Sequence, residues 1–299
     1  MRAVIVSKYG PPEGLELIEK EKPVPKENEI LIKVHAATVT FGDAVLRRMS
    51  FPVRMVFGLF MGGLRKGKIL GHEFAGEVES IGNQVTLFKP GDQIFGSTGS
   101  KGGANAEYIC LSENAMISIK PETMSFEEAA AVPIGGNTAL DILRNGNIKP
   151  GNKVLVYGAS GSVGTYAVQL AKYWGADVTG VSSSANHELV KSLGADRVID
   201  YKKTDFTTGD ETYDVIFDAV RKLSSSQCKR VLREDGVFLS TSSSTEESAE
   251  NLTFLKELIE DGKLKAVIDR TFPLDKIREA HQYVDTGRKK GNVVIIVAN

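Results

Sequence analysis

Apolar positions along this chain change rhythm near residue 150. Before about residue 120 they form short alternating runs. Arg2 to Ser7, Leu15 to Glu19 and Glu29 to Ala37 read as β-strands, set apart by Pro-Pro, Pro-x-Pro and glycine punctuation. A glycine-dense block, GHEFAGEVESIGNQVTLFKPGDQIFG, runs from Gly71 to Gly96. Its alternation across Glu73 to Ile81, with turns at Gly82-Asn83 and Pro90-Gly91-Asp92, predicts a compact antiparallel barrel. The segment Ser125 to Ala131 reads as a helix start, with Ser125 as N-cap and Glu128 three residues on.

From Gly151 strands and helices alternate. Val154 to Tyr157 is an apolar strand-type run, Gly158 to Gly164 a small-residue turn, and Tyr166 to Trp174 carries helical spacing. Asp177 to Val181, Arg197 to Ile199, Asp214 to Phe217 and Gly236 to Ser240 read as further strands, with Glu188 to Leu193 and Leu223 to Leu232 as helices between them. This is the βαβ rhythm of a doubly wound parallel sheet. The tail, Phe272 to Asn299, leaves it and ends in a helix and the strand Asn292 to Val297.

Composition narrows the class. With 299 residues and 41% hydrophobic content, the chain can bury a large core and divides more naturally into two domains than one. A net charge of −1 with no long basic run leaves no electrostatic footprint for nucleic acid. Cys110 and Cys228 are too few for a disulfide framework or a four-cysteine metal lobe, and they read as the reduced thiols of a cytoplasmic protein. The opening MRAVIVSKYG fits a first strand and not a targeting segment.

The turn carries the first chemistry. A pyrophosphate can sit on the free N–H groups of a helix start, where the dipole favours an anion, if no side chain blocks it. Gly161 gives that approach and Gly164 lets the helix lie close to the strand. Aligned on these two, the first glycine of the common G-x-G-x-x-G pattern is Ala159, with Gly158 one place earlier. The strand before and the helix after the turn favour dinucleotide binding over a purely structural turn.

The order GHEFAGEVESIG, KPGDQIFG, AAAVPIGGNTAL, VYGASGSVGTYAVQLAK, LGADRVIDY, then FPLDKIREAH with GRKKGNVVI, resembles the medium-chain dehydrogenase/reductase superfamily, closest to its zinc-free quinone oxidoreductase, or ζ-crystallin-like, branch. The resemblance covers nearly the whole chain. It implies an α/β protein: a GroES-like β-barrel catalytic domain over residues 1–121, completed by 270–299, and a Rossmann NADP-binding domain with a doubly wound parallel sheet over 122–269. The active site is expected in the cleft between them.

The same resemblance frames the metal question. Zinc-containing relatives place a cysteine after the third barrel strand, a His-Glu pair, and a second cysteine before the Rossmann domain. Here Thr40 stands at the first position, His72 and Glu73 are kept, and PIGGNTAL has no cysteine. Two thiolates are missing from a site that needs about three protein ligands, so no metal is expected, and His72 and Glu73 read as polar residues at the barrel mouth. Conjugated acceptors need less help from a Lewis acid, because the charge left by hydride addition spreads over several atoms. The resemblance therefore implies NADPH-dependent hydride transfer to a small quinone or α,β-unsaturated carbonyl. The Thr40 hydroxyl is the nearest candidate donor and Asp43 a supporting residue, unless both merely cap a turn. Many relatives carry asparagine at Thr40 and tyrosine where this chain has Val45.

Cofactor choice is read after the second Rossmann strand. NAD enzymes place an acidic residue about 20 residues beyond the glycines; this strand runs instead into Ser182, Ser183 and Ser184, which admit a 2′-phosphate. NADPH relatives add a basic residue, where this chain has Asn186 and His187, a tyrosine matched by Tyr201, and an arginine matched by Arg288. The expected cofactor residues are Thr138, Gly158, Ser160, Gly161, Ser162, Val163, Ser182, Ser183, Tyr201, Ser240, Arg288, Lys290 and Asn292.

Met49 to Met61, MSFPVRMVFGLFM, is too short to span a bilayer and is interrupted by Arg54, so it reads as a lid or interdomain packing, with no stable membrane insertion. The polar stretch Ser240 to Asn251 stands where relatives carry a strand that pairs two subunits, which predicts a monomer or weak homodimer. A zinc-dependent alcohol dehydrogenase and a non-catalytic, crystallin-like NADPH-binding protein remain open as alternatives.

Overall fold

Two large sheets, each with its own core, mark two units in the chain: residues 1–134 with 268–299, and residues 135–267. The computed structural model describes residues 1–50, 52, 53 and 66–298. All but four residues of the expected lid, Met49 to Met61, lie outside that set.

In chain order the elements are β1 (Arg2–Val6), β2 (Leu15–Glu19), β3 (Glu29–Thr38), α1 (Phe41–Arg48), β4 (Glu73–Ile81), β5 (Gln93–Ser97), β6 (Tyr108–Ser112), β7 (Ile117–Ile119), α2 (Phe126–Ala130) and α3 (Pro133–Arg144). Then come β8 (Lys153–Tyr157), α4 (Ser162–Tyr173), β9 (Asp177–Ser182), α5 (His187–Ser192), β10 (Arg197–Asp200), β11 (Tyr213–Asp218), α6 (Ser225–Cys228), β12 (Leu232–Ser240) and α7 (Ala249–Glu260). The last three are β13 (Ile268–Pro273), α8 (Ile277–Asp285) and β14 (Asn292–Ile296).

The first unit is a mixed sheet in the order β13-β14-β3-β4-β5-β7, with β6 also on β3 and a separate β1-β2 ribbon. It is antiparallel as the alternation predicts, except that β13 runs parallel to β14. Inward residues of β3 (Ile30, Ile32, Val34), Phe74 and Val78 of β4, and Val293 and Ile295 of β14 share one core with Ile277, Ala280 and Val284 of α8. Helix α2 belongs here too, beyond the expected limit at 121. Its Ser125–Glu128 capping box forms, and the Phe126 ring stacks on His35 with centroids 4.2 Å apart. A buried cation ties α1 to α8. Arg47, with no exposed surface, donates to Gly10 O, to Asp285 at 2.5 Å and to His281 Nδ1 at 3.4 Å. Burial pushes the His281 imidazole down to about 4.

The second unit is an all-parallel sheet in the order β10-β9-β8-β11-β12. Val154, Leu155 and Val156 of β8 are fully buried, as a strand covered on both faces requires. The helix expected from Leu223 to Leu232 is only α6. Ser224 and Gln227 form a capping box that starts it, but Leu232 already belongs to β12. Helical spacing of Leu223, Cys228, Val231 and Leu232 arises because a turn and a strand start feed the same core cluster. Among the described residues no strand lies between β12 and α7.

Candidate active site

Gly158 makes the tight turn after β8. Its φ is +81°, and both its N–H and that of Ala159 donate to Val181 O at 3.0 Å. Ala159 is fully buried and needs no left-handed backbone, so the displaced glycine pattern is resolved by using the glycine one place earlier. Gly161 is the N-cap of α4 and offers no side-chain cap; a Cβ there would meet nothing nearer than Gly158 O at 3.4 Å. At Gly164 a Cβ would lie 2.1 Å from Gly158 O, so this glycine sets how closely α4 approaches the turn. The result is an open cradle at a helix start, which fits a pyrophosphate.

Parallel pairing then fixes what surrounds the cradle. Gly158, Ser160, Gly161, Ser162, Val163, Ser182, Ser183, Tyr201 and Ser240 all fall at the carboxyl ends of β8, β9, β10 and β12 or at the start of α4. Asn186 donates to Ser160 Oγ at 2.9 Å and ties the loop after β9 to the turn. The Ser182 hydroxyl is buried and donates to Ser183 O at 3.2 Å, whereas Tyr201 is 49% exposed. Thr138 lies one turn along α3 from Gly135, where a Cβ would come 2.7 Å from Ser162 Oγ. Ser240 closes β12 and accepts from Ser242 N at 3.2 Å. Arg288, Lys290 and Asn292 belong to the first unit: Arg288 is exposed, Lys290 N donates to Asp269 at 2.9 Å, and Asn292 is buried at the start of β14. Sequence reasoning missed Asp200. It pairs with Ser182 across β9 and β10, and the Lys202 N–H at 2.9 Å helps hold its carboxyl below the usual range.

The first unit carries a second polar cluster. Thr40 is the N-cap of α1 and forms a capping box with Asp43. Asp43 has no exposed surface and collects four donors: Thr40 N at 2.8 Å and the Thr40 hydroxyl at 2.6 Å on Oδ2, Gly71 N at 3.1 Å and His72 Nδ1 at 2.7 Å on Oδ1. Burial alone would raise this carboxyl; the His72 charge and hydrogen bonds from His72 and Thr40 outweigh it and hold Asp43 well below the carboxylate range. An ionised Asp43 keeps the His72 proton on Nδ1 and fixes the ring. The Thr40 hydroxyl proton is therefore directed at Asp43, and Asp43 is sealed from solvent. Thr40 and Asp43 form the cap that the capping alternative describes, and Asp43 also contacts His72.

Glu73 lies beside this cluster, 1% exposed, accepting from the Thr38 hydroxyl at 2.5 Å and from Ile134 N at 2.7 Å. Burial pushes its carboxyl up to about 7 against those bonds and the attraction of Lys289. Lys289, donating to Gly291 O at 2.5 Å, is pushed down by burial to about 8. The His-Glu pair is thus committed to protein partners. Among the described residues no group of three His, Cys, Asp or Glu side chains can hold a metal ion. Cys110 and Cys228 are free thiols on separate units, each raised to about 11 chiefly by burial.

Known proteins share this architecture. A family model described as alcohol dehydrogenase GroES-like domain matches residues 26–121, and one described as zinc-binding dehydrogenase matches residues 162–268. The chain is 34% identical to 2-methylene-furan-3-one reductase of Solanum lycopersicum, over 99% of this chain and 79% of the relative. It is equally 34% identical to quinone-oxidoreductase QR1, chloroplastic, of Triphysaria versicolor, over 99% and 98% of the two chains. The crystal structure of Escherichia coli quinone oxidoreductase complexed with NADPH superposes with a TM-score of 0.84 at 26% identity, covering 99% of this chain and 100% of that one. With a five-stranded nucleotide sheet inserted into a GroES-like one and no thiolate at the His-Glu corner, the chain belongs to the medium-chain dehydrogenase/reductase superfamily, in its zinc-free quinone oxidoreductase branch.

Proposed function

We propose that this chain transfers hydride from NADPH to a quinone or an α,β-unsaturated carbonyl compound without a metal ion. The observation that carries the reading is the fate of the corner where zinc relatives bind their metal. Thr40 replaces a cysteine, His72 is turned onto Asp43 at 2.7 Å, and Glu73 is held by Thr38 and Ile134. Relatives named as a furanone reductase and a quinone oxidoreductase, matched across nearly the whole chain, support the acceptor class.

NADPH, when bound, supplies the hydride. Gly158, Ser160, Gly161, Ser162 and Val163 receive its pyrophosphate at the open start of α4, where the helix dipole favours the anion. Ser182, Ser183 and Tyr201 serve the end that carries the 2′-phosphate, and Thr138 and Ser240 complete the cofactor set of this unit. In the first unit Asp43, bonded in turn by Thr40, holds the His72 ring. A conjugated acceptor spreads the incoming charge over carbon and oxygen, so positioning and ordinary hydrogen-bond donors suffice.

A monomer or weak homodimer is the reading supported by the passage from β12 to α7 with no strand between them among the described residues. Two free thiols suit a reducing, cytoplasmic setting. No helix among the described residues is long and apolar enough to cross a membrane.

The test follows NADPH absorbance with a panel of quinones, alkenals and saturated aldehydes, with and without a chelator. Turnover of the conjugated compounds, unchanged by chelation, is expected. Chelator-sensitive reduction of saturated aldehydes, or NADPH binding with no acceptor reduced, refutes the proposal.

A further inference from the structure

The loop after β11 holds a strained cation next to the phosphate-binding turn. Arg221 has φ +56°, a backbone region that a residue with a Cβ enters at a cost of about 1 kcal/mol or more. Such strain persists only where the surroundings impose it, and here Asp218 does so. Its carboxylate, fully buried, accepts from Val220 N at 3.0 Å, Lys222 N at 2.8 Å and Leu223 N at 2.8 Å, closing the loop around itself. Ala219 N donates to Tyr157 O at 3.0 Å and fastens the loop to the end of β8. The outcome is a rigid mount that leaves the Arg221 and Lys222 side chains exposed. Among the described residues neither cation takes part in an ion pair, although acidic partners are used by Lys153, Lys172, Arg197, Arg230 and Arg233 elsewhere in this unit.

The place of the mount says what it serves. Val220 lies over Gly158 so closely that a Cβ there would come 2.5 Å from Val220 Cγ1. On its other side Gly158 donates to Val181 O, one residue before Ser182. The order in space is therefore Arg221 and Val220, then Gly158, then Val181 and Ser182. Tyr157, just before the turn, reaches toward Tyr201 with ring centroids 6.5 Å apart and shares a core cluster with Leu223. The two cations thus follow β11 at the carboxyl end of the same sheet, with β8 between that strand and β9, whose end carries Ser182. Beside Ser182 its register partner on β10, Asp200, adds a carboxylate, held by the Lys202 N–H at 2.9 Å. Asn186, the neutral residue in the loop after β9, is bonded to Ser160 and brings none of the opposite sign. A doubly charged phosphate placed there needs a cation, and Arg221 with Lys222 provides two.

We propose that Arg221 and Lys222 bind the 2′-phosphate of NADPH and set the preference for it over NADH; this rests on the NADPH assignment above. Glycine at 221 relieves the backbone while removing the charge, so Arg221→Gly is not expected to harm folding. The experiment is isothermal titration of the full-length wild type and of the Arg221→Gly/Lys222→Ala double variant with NADPH and with NADH, together with thermal melts. Loss of charge-assisted hydrogen bonds worth about 1.5–3 kcal/mol predicts a Kd for NADPH raised roughly 10- to 100-fold. The Kd for NADH should stay within about twofold, the melting temperature should hold or rise, and the salt dependence of NADPH binding should become shallower. If the wild type prefers NADPH and the double variant keeps that preference, or loses both nucleotides equally, the inference fails alone. If the wild type binds neither nucleotide, or prefers NADH, the cofactor assignment fails and takes the inference with it.

Discussion

Replacing Glu73 by glutamine should make the first unit more stable at neutral and alkaline pH. Burial raises this carboxyl from its ordinary 4.5 to about 7. In between, the folded protein holds a proton that the unfolded chain releases. The stabilisation from the neutral form is complete below pH 4.5 and is lost as pH rises through 7. A shift of that size corresponds to about 3 kcal/mol at about 1.4 kcal/mol per pH unit. Glutamine keeps a carbonyl oxygen for the Ile134 N–H, and its amide can donate to the Thr38 hydroxyl, so both hydrogen bonds survive with their direction adjusted. The measurement is the difference in unfolding free energy between wild type and Glu73→Gln across this pH range. Far-UV circular dichroism or calorimetry is needed, because the single tryptophan, Trp174, lies in the other unit. The difference should grow by about 3 kcal/mol with the variant ahead at high pH. Parallel pH profiles for the two proteins would refute the reasoning. Lys289→Met should act in the opposite sense, since removing its attraction leaves ionised Glu73 without a counter-charge.

Two further outcomes are expected. His281 is depressed from 6.5 to about 4, so its contribution is complete above pH 6.5 and is lost as pH falls through 4. Acid titration of stability in His281→Gln should lack that loss, and an unchanged acid limb would disprove it. Gly164→Ala pushes a methyl group to within 2.1 Å of the Gly158 carbonyl oxygen. It should destabilise the second unit by about 3 kcal/mol or more and abolish nucleotide binding, and a variant that melts and titrates like wild type would contradict the close approach.

How much of this was legible in the sequence depended on distance along the chain. The strand Glu73–Ile81 and the Ser125–Glu128 capping box appear where their local patterns place them, because alternation and capping are decided by neighbours. The dinucleotide turn was readable from its glycines, and only the fold could show that Gly158 and not Ala159 bends the backbone. Strand β13 escaped because its side chains are half-buried or exposed and its partner, β14, is parallel. The meeting of His72 with Asp43, 29 residues apart, and of Asp200 with Ser182 depends on register between elements, which no local pattern encodes. Arg221 gives no sign at all in sequence, since its backbone conformation is imposed by the carboxylate three residues before it.

The pairing of β14 with β3 has a consequence for how the protein comes into being. Val294, Ile295 and Ile296 lie against Thr38, Ala37 and Ala36, so a strand near one end of the polypeptide completes a sheet begun near the other. On a ribosome adding about 5–20 residues per second, β3 waits roughly 10–50 s for that neighbour. Meanwhile the whole of the second unit, residues 135–267, emerges. Throughout this interval the nascent chain presents an unfinished edge along Ala36 to Thr38, the kind of backbone that invites pairing with another chain. Synthesis rate and chaperone occupancy, more than final stability, would then govern how much of the protein reaches its native form.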